Sequence, residues 1–144
     1  MGLFDFLKKK RIDETVNQTT KVEEFGACMK KGKDLYDTGK YDKAVIWLKQ
    51  AIEIEPQWAA GPYHVLGLIY QNRKEYDTAI DYFEKSNELE PHHANYYQIG
   101  VIYQAFAKKC EEKGAPVEAY EWLLKSDNLF EKVEAMIEAK ESNK

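Results

Sequence analysis

The sequence predicts an all-α protein built from consecutive antiparallel helix pairs. Two observations carry that prediction: a segment of about 35 residues occurs twice with the same spaced residue types, and within each copy the apolar positions follow the 3.6-residue period. Composition agrees, with 44% hydrophobic and 32% charged residues and only 4 prolines among 144 positions, an ordinary soluble mix with few helix breakers. A folded chain of this size buries roughly 68–70% of its unfolded surface, enough for one domain without disulfide or metal support.

Taken in order, the chain begins Met1-Gly2-Leu3-Phe4-Asp5-Phe6-Leu7-Lys8-Lys9-Lys10-Arg11, with its apolar residues ahead of its basic cluster, the reverse of a signal peptide. Three readings stay open for Leu3, Phe4, Phe6 and Leu7: a peripheral membrane contact with the cations on anionic lipid, insertion into a groove of the same chain or of a second copy to give a homo-oligomer, or a mobile tail. Phe6 stands where a myristoylation signal has Ser or Thr. Thr15–Lys21 is polar and reads as a linker or a helix start, so residues 1–21 are set apart from a helical domain at 22–141. Lys8, Lys9, Lys10, Arg11 and Lys21 against Asp5, Asp13 and Glu14 leave residues 1–21 at +2, so with a net charge of −4 the remainder carries −6. An acidic body of this kind argues against nucleic-acid binding.

The first helix pair is Gly32-x-x-Leu35, a stop at Gly39, then Tyr41, Ala44, Leu48, Ala51 and a closing Pro56. The second repeats it as Gly67-x-x-Tyr70, Tyr76, Ala79, Phe83, Ser86 and Pro91. The alternation has a steric cause: small residues let helix axes approach, and large ones fill the space beside them. A third pair opens with Tyr96-x-x-Ile99-Gly100-x-x-Tyr103, but the run Ala119-x-x-x-Leu123-x-x-Ser126 arrives seven residues late. Seven residues are about two turns with only ~20° of drift, so the first helix of this pair is expected to run on past Phe106 and Cys110 to a stop near Gly114. Pro116 then opens a final helix at a favoured position, and Leu129, Phe130, Val133, Met136 and Ile137 carry it to about residue 140.

These residues resemble the tetratricopeptide-repeat (TPR) family, whose L-G-x2-Y…A-x3-F…P pattern is met by Leu66-Gly67-x-x-Tyr70…Ala79-x-x-x-Phe83…Pro91. The resemblance covers about residues 25–126, as repeats at about 25–58, 60–92 and 93–126. It implies a TPR-type superhelix of antiparallel helix pairs, the third with a first helix two turns longer, and a long C-terminal capping helix. It further implies a non-catalytic adaptor or scaffold that holds a protein or peptide partner in a concave groove lined by the first helix of each pair.

Carrying the family's groove positions over residue by residue gives Gly26, Met29, Lys33, Tyr36 and Asp37 in the first repeat. The second gives Gly61, His64, Leu68, Gln71 and Asn72, and the third Ala94, Tyr97, Val101, Gln104 and Ala105. The carboxylate clamp of the chaperone-binding members would fall on Met29, Lys33, Val65, Ala94 and Gln98, of which only Lys33 suits an anion. Met29, Tyr36, Leu68, Tyr97 and Val101 favour an apolar or helical ligand instead. A last helix that folds back would turn some of these residues into core.

No catalytic residue, metal ligand set or cofactor is expected. The chain has no G-x-x-x-x-G-K-[ST], G-x-S-x-G or H-E-x-x-H motif, and adjacent acids such as Glu111 and Glu112 diverge by about 100° on a helix. His92 and His93 read as a turn or helix start, whereas His64 falls on the groove face, where a ligand carboxylate would raise its pKa. Cys28 and Cys110 lack any CxxC spacing and read as reduced core residues. No apolar run approaches the ~18–20 residues that span a bilayer, and residence in the cytoplasm is the expectation.

Overall fold

The computed structural model describes residues 2–144, which form six α-helices and one short 3₁₀ turn. In order these are α1 (Leu3–Asp37), α2 (Tyr41–Ile54), the 3₁₀ turn Pro56–Trp58, α3 (Ala60–Asn72), α4 (Tyr76–Leu89), α5 (His93–Glu112) and α6 (Pro116–Ser142). The chain divides into two compact units, one ending at Pro62 and one spanning Tyr63–Lys144.

In the first unit α1 and α2 form an antiparallel pair. Gly32 lies against Leu48 so closely that a Cβ would stand 2.8 Å from the leucine Cγ, and Leu48, Ala44 and Ala51 are fully buried. Trp58 closes the far end of the pair edge-on against Phe25, with ring centroids 5.5 Å apart. The segment read as a linker or helix start is helix throughout, because α1 runs unbroken from Leu3. Nothing between Leu3 and Gly26 breaks a helix, and the hydroxyls of Thr15, Thr19 and Thr20 bond back to the carbonyls of Arg11, Thr15 and Val16. Those bonds keep each hydroxyl partnered inside the helix rather than in a competing turn.

In the second unit α3 pairs with α4 and α5 with α6 around a core of Ala79, Phe83, Ile99 and Ile102. Gly67 admits the Phe83 ring, which would stand 2.5 Å from a Cβ there. The corresponding partner of Gly100 is Phe130, at 2.6 Å, whereas Leu123 is 37% exposed. The seven-residue delay therefore understates the change. In an antiparallel hairpin a residue faces its mirror image across the turn: Gly32 and Leu48 lie eight residues either side of Lys40, Gly67 and Phe83 eight either side of Glu75, and Gly100 and Phe130 fifteen either side of Ala115. Two turns added to the first helix call for two turns of new partner on the second, and α6, with 27 residues against 14 in α4, supplies them and runs further.

Each hairpin turns on a residue with positive φ, Gly39 (74°), Lys74 (61°) and Gly114 (75°). The two N–H groups at each turn bond back into the last helical turn, as Gly114 to Glu111 and Ala115 to Cys110, the pattern that satisfies helix C-terminal carbonyls. Both cysteines are free; Cys28 is buried, but Cys110 is only half-buried, at the rim of a hollow with Phe106, Trp122, Lys109 and Lys113. Burial, and then Glu24, push the Cys28 thiol up.

Candidate functional site

One spacing recurs on the first helix of every pair. Counting from the small residues Gly32, Gly67 and Gly100, the positions three before, one after and four after are Met29, Lys33 and Tyr36, then His64, Leu68 and Gln71, then Tyr97, Val101 and Gln104. Residues at i, i+4 and i+7 share one face of a helix.

In the first unit this face mixes packed and free side chains. Met29 is half-buried with its Cε near Gly61, 3.4 Å from where a Cβ would stand. Lys33 is exposed and its Nζ donates to Asp37 Oδ2 at 3.2 Å, an i,i+4 surface pair of about 0.3–0.5 kcal/mol that a ligand anion can displace. Tyr36 is half-buried with its ring against Tyr41, centroids 5.7 Å apart.

In the second unit α3 and α5 are joined by a polar network. His64 Nδ1 lies 2.6 Å from Asn95 Oδ1, while Asn95 Nδ2 donates to Ser86 Oγ at 3.0 Å and to Asn87 Oδ1 at 2.9 Å. Because the amide nitrogen is committed to those two acceptors, Oδ1 is the acceptor toward His64 and the proton sits on His64 Nδ1. Asn95 is 1% exposed, so losing this network would strand buried polar groups. Asn87 Oδ1 also accepts the His92 N–H at 3.1 Å, which ties the turn before α5 to α4.

His64 is thus a structural hydrogen-bond donor as well as a member of the candidate face, and its ring also packs 5.7 Å from Phe83. Leu68 is half-buried and packs on the Ala79–Phe83–Ile99–Ile102 cluster, so it belongs largely to the core rather than to a free surface. Gln71 and Val101 are half-buried; Asn72 and Gln104 are exposed. Tyr97 is 48% exposed and rests on Phe130 with ring centroids 5.5 Å apart. The last helix does fold back as the second arm of its own hairpin, and Tyr97 stays about half exposed beside it.

Val65, one of the clamp positions, is 6% exposed and belongs to the core. His92 and His93 stack at 4.4 Å, and His92 Nδ1 accepts the Ala94 N–H at 3.1 Å as the N-cap of α5. Burial, then His93, His64 and Lys140, hold the His92 pKa below the ordinary imidazole value against an upward pull from Glu90. Among the described residues no group of three His, Cys, Asp or Glu side chains is placed to hold a metal, and no helix is long and apolar enough to cross a membrane. Leu3, Phe4, Phe6 and Leu7 are all exposed; Met1 lies outside the described residues.

Sequence reasoning missed two residues here. Asn95 stands five positions before Gly100, where the other first helices have Ala27 and Pro62, and that polar exception was the available signal. Phe130 was visible as an apolar residue of the last helix, but its partner follows only from the hairpin count.

One tetratricopeptide-repeat family model matches residues 25–58 and a second matches residues 60–93. Among solved structures the chain is similar to the crystal structure of MamA, with 28% identity and a TM-score of 0.55 over 75% of this chain and 59% of that one. This chain thus spans under two thirds of the MamA chain's length. It is also similar in fold to the N-terminal domain of stress-induced protein-1 (STI-1) from C. elegans, with 20% identity and a TM-score of 0.52 over 86% of this chain and 98% of that one. A comparison with curated proteins returns no match. The two matched repeats, the helix pairs and the packing inside them, Gly32 on Leu48 and Gly67 on Phe83, agree, and the chain belongs to the tetratricopeptide-repeat family of protein-interaction modules.

Proposed function

We propose that the shared face of α3 and α5 in the second unit binds a helix or an extended segment of a partner protein. The observation that carries this reading is Tyr97, which is 48% exposed yet has its ring packed against that of Phe130. A rigid, half-exposed aromatic loses little side-chain freedom on binding, a property shared by the anchors that dominate interfaces. Around it, Gln71 and Gln104 supply amides that can pair with a ligand backbone, and Val101 supplies apolar area. The first-unit face, Met29, Lys33 and Tyr36, offers a second surface of similar chemistry with one cation.

The reading makes this chain an adaptor or scaffold rather than a catalyst, with the partner supplying any activity. A displayed random peptide library selected on the intact chain tests it. Binders are expected to weaken about thirtyfold against a Tyr97→Ala, Gln104→Ala double variant, the effect of losing roughly 2 kcal/mol at an aromatic anchor. Leu68 is avoided because its truncation would also loosen the core. Selected peptides that bind the double variant as tightly as the native chain would place the binding surface elsewhere.

A further inference from the structure

The start of α1 is set apart by exposure. Leu3, Phe4, Phe6 and Leu7 are 73%, 79%, 56% and 52% exposed, and every residue from Gly2 to Thr20 is exposed. At 1.5 Å per residue the helix from Leu3 to Lys21 is a stalk about 27 Å long.

Helical geometry arranges the tip of this stalk. At about 100° per residue, Leu3, Phe4, Phe6 and Leu7 cover an arc of roughly 160° on the first turn and a half, with Asp5 on the opposite side. Lys8, Lys9, Lys10 and Arg11 are consecutive, so they point in four directions and close a ring of positive charge around the next turn. The middle of the ring lies only about 7 Å along the axis from the middle of the apolar patch.

We propose that this tip binds the surface of an anionic lipid bilayer, the four apolar side chains entering the boundary of the acyl region and the cation ring lying among the phosphates. Interfacial helices insert their apolar face by about 5–10 Å, which matches the spacing between patch and ring. The ring decides between occupants. A protein groove, including that of a second copy, would cover the apolar arc but would need acidic partners in every direction around the helix. Lipid phosphates surround an inserted helix on all sides.

Co-sedimentation of the intact chain tests this, with vesicles of phosphatidylglycerol mixed into phosphatidylcholine and with vesicles of phosphatidylcholine alone. Binding to the mixed vesicles is expected, weakening with added salt. The Lys9→Ala, Lys10→Ala variant should lower it about tenfold or more, and Phe4→Ser, Phe6→Ser should lower it by at least as much, both with unchanged melting temperature. Failure of the native chain to bind the mixed vesicles overturns the proposal, as does equal binding to both kinds of vesicle. A dimer that dissociates in either variant, without vesicle binding by the native chain, overturns it in favour of self-association.

Discussion

Gly100 lies beneath the ring of Phe130, and a Cβ at Gly100 would stand 2.6 Å from the ring's Cε1. The contact belongs to a hairpin whose first arm is two turns longer than that of the pair before it, and it replaces the Gly67–Phe83 contact of that shorter pair.

Gly100→Ala should therefore destabilise the chain by about 1–2 kcal/mol, overpacking outweighing the roughly 1 kcal/mol by which Ala favours a helix over Gly. Phe130→Ala should cost about 2–3 kcal/mol on its own, and the double variant should lose clearly less than the sum, because the alanine at 100 then has room. Leu123→Ala, at a position already 37% exposed, should stay within about 1 kcal/mol. Urea denaturation of the four chains reads the cycle; additive losses at 100 and 130 would show that the two do not meet.

Lys74 adopts φ 61° where the other two hairpins have Gly39 and Gly114. A side chain in that region is strained, and glycine relieves the strain while adding freedom to the unfolded chain. Lys74→Gly should raise stability by about 0.5–1 kcal/mol, seen as a higher urea midpoint with an unchanged slope.

Asn95 joins three helices, holding His64 of α3 and Ser86 and Asn87 of α4. Asn95→Ala should cost about 2–4 kcal/mol, since it removes the acceptor for His64 and the donor to Asn87 inside a buried site. Asn95→Asp should not rescue it, because a carboxylate supplies no N–H to Ser86 or Asn87. Thermal melts of both variants check this.

The N-cap of α5 depends on a neutral His92, because Nδ1 must keep its lone pair to accept the Ala94 N–H. The folded chain holds the His92 pKa below its unfolded value, so the unfolded state binds the proton more readily. The stability from this cap is then complete above the ordinary imidazole pKa of about 6.5 and is lost as pH falls through the lower folded value. Between about pH 7.5 and about pH 5 the native melting temperature should fall further than that of His92→Asn, whose side chain caps a helix without titrating. Parallel slopes in the two chains would mean that His92 does not contribute.

Much of this protein was legible in its sequence. The spacing of Gly32, Ala44 and Leu48, and of Gly67, Ala79 and Phe83, determined the helix pairs. The turn residues Gly39 and Gly114 marked two of the three hairpins, Pro116 opened the last helix, and its apolar run carried that helix to within two residues of Ser142. The i, i+4, i+7 stripes were legible too, because periodicity is a property of one helix at a time. Tertiary structure alone decided which of those stripe residues are free. It drew Leu68 into the core, gave His64 to Asn95, and left Tyr97 half exposed on Phe130. The continuation of α1 through Thr15–Lys21 is a local matter, since that stretch holds no breaker and Thr15, Thr19 and Thr20 bond within their own helix. A local pattern states which way a side chain points along its own helix, but what it meets is set by the residue opposite, and that follows from how many residues lie on each side of a turn.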